Sequence, residues 1–321
     1  MKRKVLIAEK CHDILRTELS AGGYECHYVP DATNEYVQQI IHEYVGLIVR
    51  SRIKIDEYLI DKAQDLQFLG RVGSGMELID TVYAKEKGIL CFNSPEGNRD
   101  SVAEHAVGNM IGMLKNIHIS DRELRQGNWI RKDRRGVELG SQTVGIIGYG
   151  NTGSALAEKL SGFGCKILAY DKYKSKFGNK LVVEATLEDL YTDADIVSIH
   201  LPLTEETHYL VDKGFFEQFK KPIYFVNTSR GSIVKTMDLV EALQSEKVWG
   251  AAIDVFETEP IQNLNAANQA WWDQLAGQQQ VILTPHTAGL TKDSYLKLAK
   301  ILAQKILNHP ELSKLSQILP R

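Results

Sequence analysis

The stretch VGIIGYGNTGSALAEKL, residues 144–160, places three glycines at the spacing G-x-G-x-x-G. Its apolar start predicts a buried strand, and the residues after Gly153 predict a helix. In such a strand–turn–helix unit Gly148 would allow a tight turn, and Gly150 would let the backbone approach a pyrophosphate. The helix N-terminus offers free N–H groups to the phosphate, and Gly153 would let the helix pack closely on the strand. The stretch therefore predicts a dinucleotide-binding site.

An acidic residue at the end of the next predicted strand indicates which dinucleotide binds. Asp171 closes the run KILAYD, roughly 20 residues beyond the glycines, as such sites require. Its carboxylate would accept hydrogen bonds from a ribose diol and repel a 2′-phosphate, so NAD is predicted rather than NADP. Lys172 and Lys174 leave NADP open as the alternative.

Apolar runs with strand character alternate with segments of helical period on both sides of the glycine motif. The runs before it are KVLIA, YECHYV, GLIVR, LQFLGRV and ILCFN, and those after it include KILAYD, DIVSIHLP, IYFVNTS, GAAIDVF and VILTP. The first series ends at SPEGNRD, residues 94–100, and a long helix is predicted from Ser101, a candidate N-cap with Glu104 three residues on. The pattern predicts an α/β fold with two doubly wound parallel sheets.

Composition excludes several classes of protein. Of 321 residues, 25% are charged and 43% hydrophobic, and the net charge of −3 gives no reason to expect nucleic acid or an anionic membrane as partner. The basic run RQGNWIRKDRRGVELGSQ is interpreted as a solvated surface loop. The apolar run Val5 to Ala8 is too short for a signal peptide or a membrane span, so a cytoplasmic location is expected. Scattered cysteines predict reduced thiols and no metal site: Cys11, Cys26, Cys91 and Cys165.

Three later stretches carry groups suited to moving a hydride and a proton together. They are VNTSRGSIV (226–234), AAIDVFETEP (251–260) and ILTPHTAG (282–289), and each ends a predicted strand. Arg230 could bind a carboxylate, and His286 could exchange a proton near neutral pH. Glu259 could fix the tautomer of His286 and raise its pKa. Taken singly, each residue is typical of a surface or turn position, but together they predict a catalytic site.

The sequence resembles the D-isomer-specific 2-hydroxyacid dehydrogenases over nearly its whole length. GVELGSQTVGIIGYGNTGSALA resembles the nucleotide signature of the family, and IVSIHLPLTEETHYLV resembles its H-x-P-x-T-x-x-T segment. FVNTSRGSIV, AAIDVFETEP and ILTPHTAG are similar to its three catalytic blocks. GNRDSVAEHAVGNMI resembles the helix that enters its nucleotide domain.

The resemblance implies a role for each matching residue. Arg230 would bind the substrate, His286 would be the acid–base and Glu259 its partner. Asp254 would face the carboxamide of the nicotinamide. The cofactor-binding positions implied are Gly148, Gly150, Asn151, Thr152, Gly153, Asp171, His200, Pro202, Thr207, Thr228, Ser229, Arg230, Asp254 and His286. The substrate-binding positions implied are Arg50, Ser51, Ser74, Gly75 and Arg230.

The resemblance also implies a domain arrangement that explains the mid-chain glycines. A Rossmann NAD-binding domain, residues 101–288, would be inserted into a flavodoxin-like substrate domain formed by residues 1–100 and 289–321. The substrate would lie in the cleft between the domains, and the long helix after Ser101 would build a homodimer. No C-terminal regulatory domain is expected, because the chain ends soon after its last predicted helix.

The predicted reaction is hydride transfer between NAD and C2 of a small D-2-hydroxy acid or 2-oxo acid. The leading substrate is 3-phosphoglycerate or 3-phosphohydroxypyruvate, whose phosphate Arg50 and Arg52 could bind. Reduction of glyoxylate or hydroxypyruvate is the alternative. A hypothesis of a different class is an NAD-sensing scaffold similar to the corepressors of the family.

Three departures from the family pattern concern the substrate rather than the reaction. Met76 and Glu77 follow Gly75, where relatives often carry Asp or Asn, and Thr152 stands where an apolar residue is common. The stretch IQNLNAANQAWWDQLAGQQQ, which contains the segment 262–280, is longer than usual. It either alters the rim of the cleft or is a surface insertion.

Overall fold

Strands and helices alternate along residues 3–312, the part of the chain that the computed structural model describes. The strands are β1 Arg3–Ile7, β2 Tyr24–Tyr28, β3 Gly46–Val49, β4 Phe68–Arg71, β5 Leu90–Phe92, β6 Thr143–Ile147, β7 Lys166–Tyr170, β8 Val183–Glu184, β9 Ile196–Ile199, β10 Ile223–Asn227, β11 Val248–Ile253 and β12 Val281–Leu283. The α-helices are α1 Ile14–Ala21, α2 Asn34–Ile40, α3 Glu57–Lys62, α4 Thr81–Glu86, α5 Arg99–Leu114, α6 Ile117–Arg125, α7 Asn151–Leu160, α8 Leu187–Asp193, α9 Lys213–Glu217, α10 Thr236–Gln244, α11 Ala266–Ala276 and α12 Lys292–Leu307.

The chain divides into two compact units. The first combines Met1–Asn98 with Leu290–Arg321, of which residues 3–98 and 290–312 are described. The second spans Arg99–Gly289. None of the helices in residues 3–312 combines the length and the apolar character needed to cross a membrane.

The first unit is built on a five-stranded sheet in the order β2-β1-β3-β4-β5, with every neighbouring pair parallel. Leu6 and Ile7 of β1 are fully buried because helices cover both faces of the sheet. The C-terminal helix α12 covers one face and buries Leu302 and Ile306 against it. A capping box at Thr291 stabilises the start of this helix.

The second unit contains a seven-stranded parallel sheet in the order β12-β11-β10-β9-β6-β7-β8. The chain runs from β6 outward through β7 to β8, and then returns to place β9 on the other side of β6. The strand order therefore reverses beside β6, and in open α/β sheets ligands bind at the carboxyl ends of the strands at such a point. The predicted fold class, two doubly wound parallel sheets, is confirmed.

Two helical segments differ from the sequence prediction. The long helix predicted from Ser101 begins at Arg99 and stops at Leu114, because Asn116 has a left-handed backbone with φ of 53°. The chain then turns into α6, which was not predicted. The long segment spanning 262–280 contains α11, whose Leu275 is buried in the core of the second unit.

Close packing of α7 on β6 makes Gly153 sensitive to substitution. A Cβ at Gly153 would lie 2.0 Å from the backbone oxygen of Gly148, so Gly153→Ala is expected to lower the free energy of unfolding by about 1–3 kcal/mol. Gly108→Ala in α5 is the matched control, since its Cβ would meet no described atom within 4 Å. The control is expected to stabilise the protein by up to about 1 kcal/mol. Urea unfolding followed by circular dichroism measures both, and equal stability of the two variants would contradict the packing argument.

Candidate active site

The glycine turn after β6 leaves bare backbone at the carboxyl edge of the seven-stranded sheet. Gly148 has a φ of 96°, a left-handed value that favours glycine, and its Cβ would lie 2.3 Å from the backbone oxygen of His200. Gly150 precedes α7, and a Cβ there would meet no described atom within 4 Å. The first N–H groups of α7 therefore border open space, an arrangement that fits the pyrophosphate of a dinucleotide.

Asp171 ties the loop after β7 to this glycine turn. One carboxylate oxygen accepts a hydrogen bond from the backbone N–H of Tyr149 at 2.8 Å. The other accepts from the N–H groups of Tyr173 and Lys174, each at 3.0 Å. The carboxylate is thus held at the edge of the sheet beside the glycines.

The segment after β9 forms a fixed turn around a buried histidine. The Nε2 atom of His200 lies 2.8 Å from Ser198 Oγ, and its Nδ1 atom lies 3.1 Å from Thr152 Oγ1. Burial lowers the pKa of His200 to about 4, so its imidazole is neutral at pH 7. The hydroxyl of Thr152, which stands where an apolar residue is common in the family, therefore has a hydrogen-bond partner in His200. Further along the segment, Thr207 Oγ1 donates to the backbone oxygen of Pro202 at 2.6 Å.

Asn227 at the end of β10 organises the next loop. Its side chain accepts from the N–H of Ser229 at 3.0 Å and donates to the backbone oxygen of Arg230 at 3.1 Å. Ser229 Oγ donates to the backbone oxygen of Ile199 at 2.7 Å, which joins this loop to β9. Thr228 Oγ1 is buried without a hydrogen-bond partner among the described atoms. A buried hydroxyl of this kind is suited to a ligand that supplies the missing partner.

Arg230 is held against the loop that follows β11. A Cβ on Gly231 would lie 1.9 Å from the backbone carbon of Phe256, so only glycine permits this approach. The guanidinium of Arg230 donates to the backbone oxygen of Ser229 at 2.7 Å. Its positive charge lowers the pKa of both Glu259 and His286, which lie on the neighbouring loops.

Glu259 and His286 form a hydrogen-bonded pair, with Oε2 of Glu259 2.6 Å from Nδ1 of His286. The other carboxylate oxygen of Glu259 accepts from the N–H of Phe256 at 2.8 Å. His286 has a left-handed φ of 53°, and its N–H donates to the backbone oxygen of Asp254 at 2.8 Å. Contacts on both sides therefore hold a conformation that a non-glycine residue seldom adopts.

The pair is poised in its charged form. The hydrogen bond to Glu259 raises the pKa of His286, and burial and the charge of Arg230 offset only part of that effect. Burial alone would raise the pKa of Glu259, but the hydrogen bonds from His286 and Phe256 hold it below its ordinary value. An ionised carboxylate only accepts hydrogen bonds, so Nδ1 of His286 carries a proton. Nε2 is therefore the nitrogen that gains and loses a proton.

Hydrogen bonds to Asp254 fix the conformation of the loop that carries His286. Its carboxyl group, 1% exposed, accepts from Thr284 Oγ1 at 2.6 Å and from the N–H groups of Thr287 and Ala288, each at 2.9 Å. His105 of α5 also reaches this loop, with Nε2 3.1 Å from Thr284 Oγ1. Both oxygens of Asp254 are engaged by protein groups, and its role toward a cofactor stays a prediction.

A cavity of about 520 Å³ borders the Glu259–His286 pair. Its other walls are largely apolar and comprise Phe256, Pro260, Ile261, Gln262, Trp272, Leu283, Thr284 and Pro285. Trp272 belongs to α11 and packs edge-on against Phe256 with ring centroids 5.5 Å apart. The long segment spanning 262–280 therefore contributes a wall of this cavity.

In the first unit, the predicted substrate residues lie on loops at the carboxyl edge of the five-stranded sheet. Glu9, after β1, is buried and accepts from the backbone N–H groups of Arg50, Ser51, Arg52 and Ile53 at 2.9–3.2 Å. Burial opposes ionisation of this carboxyl, but the four N–H groups outweigh it and lower its pKa. The N–H groups of Arg50 and Ser51 therefore already have an acceptor within the protein.

Arg71 joins the two predicted substrate loops. Its Nε donates to the backbone oxygen of Arg50 at 2.9 Å, and its Nη1 donates to the backbone oxygen of Gly75. Ser74 Oγ donates to Asn98 Oδ1 at 2.6 Å, which fixes the second loop.

Sequence reasoning missed four residues that shape these sites: Glu9, Arg71, His105 and Asn227. Three of them lie at the end of a strand or directly after one, as do the predicted residues, so a search of every strand end for polar side chains would have found them. Among residues 3–312, no group of three or more His, Cys, Asp or Glu side chains could hold a metal ion.

Comparison with known proteins identifies similar sequences and folds. Residues 107–288 match the profile of a family described as D-isomer specific 2-hydroxyacid dehydrogenase, NAD binding domain. The chain is 34% identical over 310 residues to D-3-phosphoglycerate dehydrogenase of Archaeoglobus fulgidus, covering 95% of this chain and 57% of that protein. It is 34% identical over 282 residues to hydroxypyruvate reductase of Thermotoga maritima, covering 86% of this chain and 90% of that protein. The chain thus spans just over half the length of the archaeal relative.

The fold is similar to that of a D-lactate dehydrogenase from Aquifex aeolicus, whose crystal structure contains NAD and lactic acid. The TM-score is 0.82 at 26% identity, and the match covers 98% of this chain and 97% of that chain.

The pKa of His286 tests the electrostatics of the pair. Glu259→Gln is expected to lower this pKa toward its ordinary value, because an amide lacks the charge that stabilises the imidazolium. NMR titration of the imidazole signals measures it. The buried His200, which hydrogen-bonds only to Ser198 and Thr152 among the described side chains, is an internal control and should titrate as in the wild type. An unchanged pKa of His286 would contradict the role given to Glu259.

Proposed function

Since this chain belongs to the family of D-isomer-specific 2-hydroxyacid dehydrogenases, we propose that it is an NAD-dependent oxidoreductase acting on a small D-2-hydroxy acid or its 2-oxo acid. When bound, NAD supplies or accepts the hydride that C2 of the substrate gains or loses, at C4 of its nicotinamide. The observation that carries the proposal is the Glu259–His286 pair beside Arg230, on the same sheet edge as the glycine turn.

Residues of the second unit would hold the cofactor. The turn at Gly148 and Gly150 and the first N–H groups of α7 would bind its pyrophosphate. Asp171 would accept hydrogen bonds from a ribose. The unpartnered hydroxyl of Thr228 supports a ligand in contact with the loop after β10. Asn151 is the first residue of α7, and Pro202 lies on the segment after β9, at the same edge of the sheet.

His286 would exchange the proton that accompanies the hydride. In reduction, the imidazolium gives its Nε2 proton to the oxygen on C2, and the 2-oxo group becomes a hydroxyl. In oxidation, neutral Nε2 takes the hydroxyl proton. Glu259 stays ionised in both directions, because it holds the Nδ1 proton of His286 and stabilises the imidazolium.

Arg230 would bind the carboxylate of the substrate. A guanidinium can donate two parallel hydrogen bonds to a carboxylate, which fixes the acid in one orientation. The same positive charge would stabilise negative charge that develops on the C2 oxygen during hydride transfer.

The leading substrate remains 3-phosphoglycerate or 3-phosphohydroxypyruvate, with Arg50 as the phosphate-binding group. The guanidinium of Arg50 lies 5.5 Å from the centre of the Tyr295 ring. Arg52, the second predicted phosphate ligand, instead donates to the backbone oxygen of Pro30 at 2.7 Å and lies 3.7 Å from the Glu9 carboxylate. This engagement of Arg52 favours glyoxylate or hydroxypyruvate as the second candidate. The scaffold hypothesis draws no support from a site in which the Glu259–His286 pair is assembled.

We propose a homodimer as the assembled form. Helix α5, which includes the predicted helix, buries eight of its 16 residues within the second unit. Exposed apolar side chains follow it instead, on α6 and in the segment beyond, and Trp129 is 77% exposed. These side chains support α6 and the segment that follows as the dimer surface.

We propose a cytoplasmic location for the protein. The four cysteines are free thiols, which supports this location.

Turnover assays test the proposed reaction. Wild-type protein is assayed with NADH and NADPH against glyoxylate, hydroxypyruvate, 2-oxoglutarate and phosphohydroxypyruvate, and NADH oxidation is expected with at least one acid. His286→Ala should lower kcat by about 10²–10⁴-fold. His42→Ala, an exposed histidine of the first unit, should leave kcat unchanged. Absence of NADH oxidation with every acid, or wild-type turnover in His286→Ala, would overturn the proposal.

The pH dependence should follow the protonation state of His286. Its raised pKa keeps the imidazolium to higher pH, so the reduction rate is expected to fall as the pH rises through that pKa. Oxidation needs the neutral imidazole, so its rate should rise over the same range. Glu259→Gln should move both limbs to lower pH, and kcat/KM profiles in each direction would reveal this. A shift to higher pH would contradict the assignment.

A further inference from the structure

Three side chains form an ion-paired cluster beside Asp171. Glu206 binds the ammonium group of Lys172 with one carboxylate oxygen and accepts a hydrogen bond from the hydroxyl of Tyr173 with the other. The Lys172 Nζ atom lies 5.6 Å from the centre of the Tyr173 ring. We call these three residues the Glu206 clamp.

The clamp joins the two loops that flank the glycine turn. Lys172 and Tyr173 follow β7, and Glu206 lies on the turn after β9. In the sheet, β7 and β9 are the neighbours of β6 on its two sides. The clamp therefore spans the carboxyl end of β6, where the strand order reverses. Asp171 lies next to the clamp, directly after β7.

The clamp also determines which charged side chains are available near the ribose of a bound nucleotide. Lys172 and Lys174 are the basic groups next to Asp171, and either could in principle pair with a 2′-phosphate. The ammonium of Lys172 is neutralised by Glu206, whose hydrogen bond raises the pKa of Lys172, while the same bond lowers the pKa of Glu206. Lys174 Nζ donates to the backbone oxygen of Tyr149 at 2.8 Å. Both lysines are thus engaged.

We propose that Glu206 is a specificity-determining residue that makes the nucleotide site favour NAD over NADP. It holds the ammonium group of Lys172 in an ion pair and so withholds it from a 2′-phosphate. A phosphate carries nearly two negative charges at neutral pH, so loss of this attraction acts against NADP. The inference rests on the proposed function, because it assumes that a nicotinamide nucleotide binds here.

The expected effect is moderate because the clamp is exposed to solvent. Lys172 and Glu206 keep 55% and 45% of their side-chain surface exposed, and exposed ion pairs interact weakly. Glu206→Gln is therefore expected to tighten NADPH binding by about fivefold and leave the Kd of NADH nearly unchanged. The gain should shrink at high salt, where the Lys172–phosphate attraction is screened.

The experiment measures the Kd of NADH and NADPH for the purified full chain by nicotinamide fluorescence, without substrate. Glu205→Gln is the matched control: it removes the same charge one residue away, from a side chain with no hydrogen bond to Lys172 or Tyr173 in the described structure. The double variant Lys172→Gln/Glu206→Gln tests whether the released Lys172 causes the gain, because the gain in NADPH affinity should disappear without the ammonium group.

The variants separate an effect of the clamp from a general effect of removing a negative charge. A gain for NADPH in Glu206→Gln that is absent in Glu205→Gln and in the double variant supports the inference. An unchanged Kd for NADPH, an equal gain in Glu205→Gln, or a gain that survives loss of Lys172 would overturn it while leaving the proposed function intact. Failure of the wild-type chain to bind either nucleotide would overturn both.

Discussion

The buried carboxylate of Asp254 fixes the geometry on which the candidate active site depends. A charge that is 1% exposed is costly unless it is fully hydrogen-bonded, and here three donors from the loop after β12 satisfy it. That requirement determines the path of the loop. The left-handed backbone of His286 follows from it, and so does the placement of Nδ1 within 2.6 Å of Glu259. The proton chemistry proposed for the protein is therefore built on a structural hydrogen-bond network in the sheet.

The parallel sheet explains why residues far apart in sequence can share one site. Each strand of the second unit delivers its following loop to the same edge, so β6, β7, β9, β10, β11 and β12 bring six short segments together. Hydrogen bonds such as the one from Ser229 Oγ to the backbone oxygen of Ile199 then tie one loop to the next. The site is thus rigid because its loops are bonded to each other as well as to their strands.

Local patterns allowed much of this architecture to be predicted from the sequence. Apolar runs bounded by Gly, Pro and polar residues marked the strands, and the fold class and family were confirmed. Arg230, Glu259 and His286 were found because each follows a strand end and carries a distinctive chemistry. The structure brings Glu259 and His286 into contact, while their catalytic roles await the assays.

What the sequence did not reveal depends on long-range pairing or on single backbone angles. Glu9 binds N–H groups more than 40 positions away, and no periodicity in the sequence marks such a partner. The end of α5 is decided by one left-handed residue, Asn116, inside an otherwise helical pattern. The helix α11 contains four alanines, which favour a helix, but its apolar residues form only a weak amphipathic pattern, and burial of Leu275 anchors it in the core.

The contacts that anchor the Glu259–His286 pair leave the segment between these two residues free to vary in sequence and length. Glu259 is held by Phe256, and His286 by Asp254, so neither anchor lies in the intervening segment that contains α11. Lengthening a connection between two fixed ends costs little free energy. The segment can therefore acquire new residues and reshape the cavity beside the pair, while the distance between Glu259 and His286 is preserved. Evolution or design can alter what the cavity accommodates and leave the proposed acid–base pair as it is.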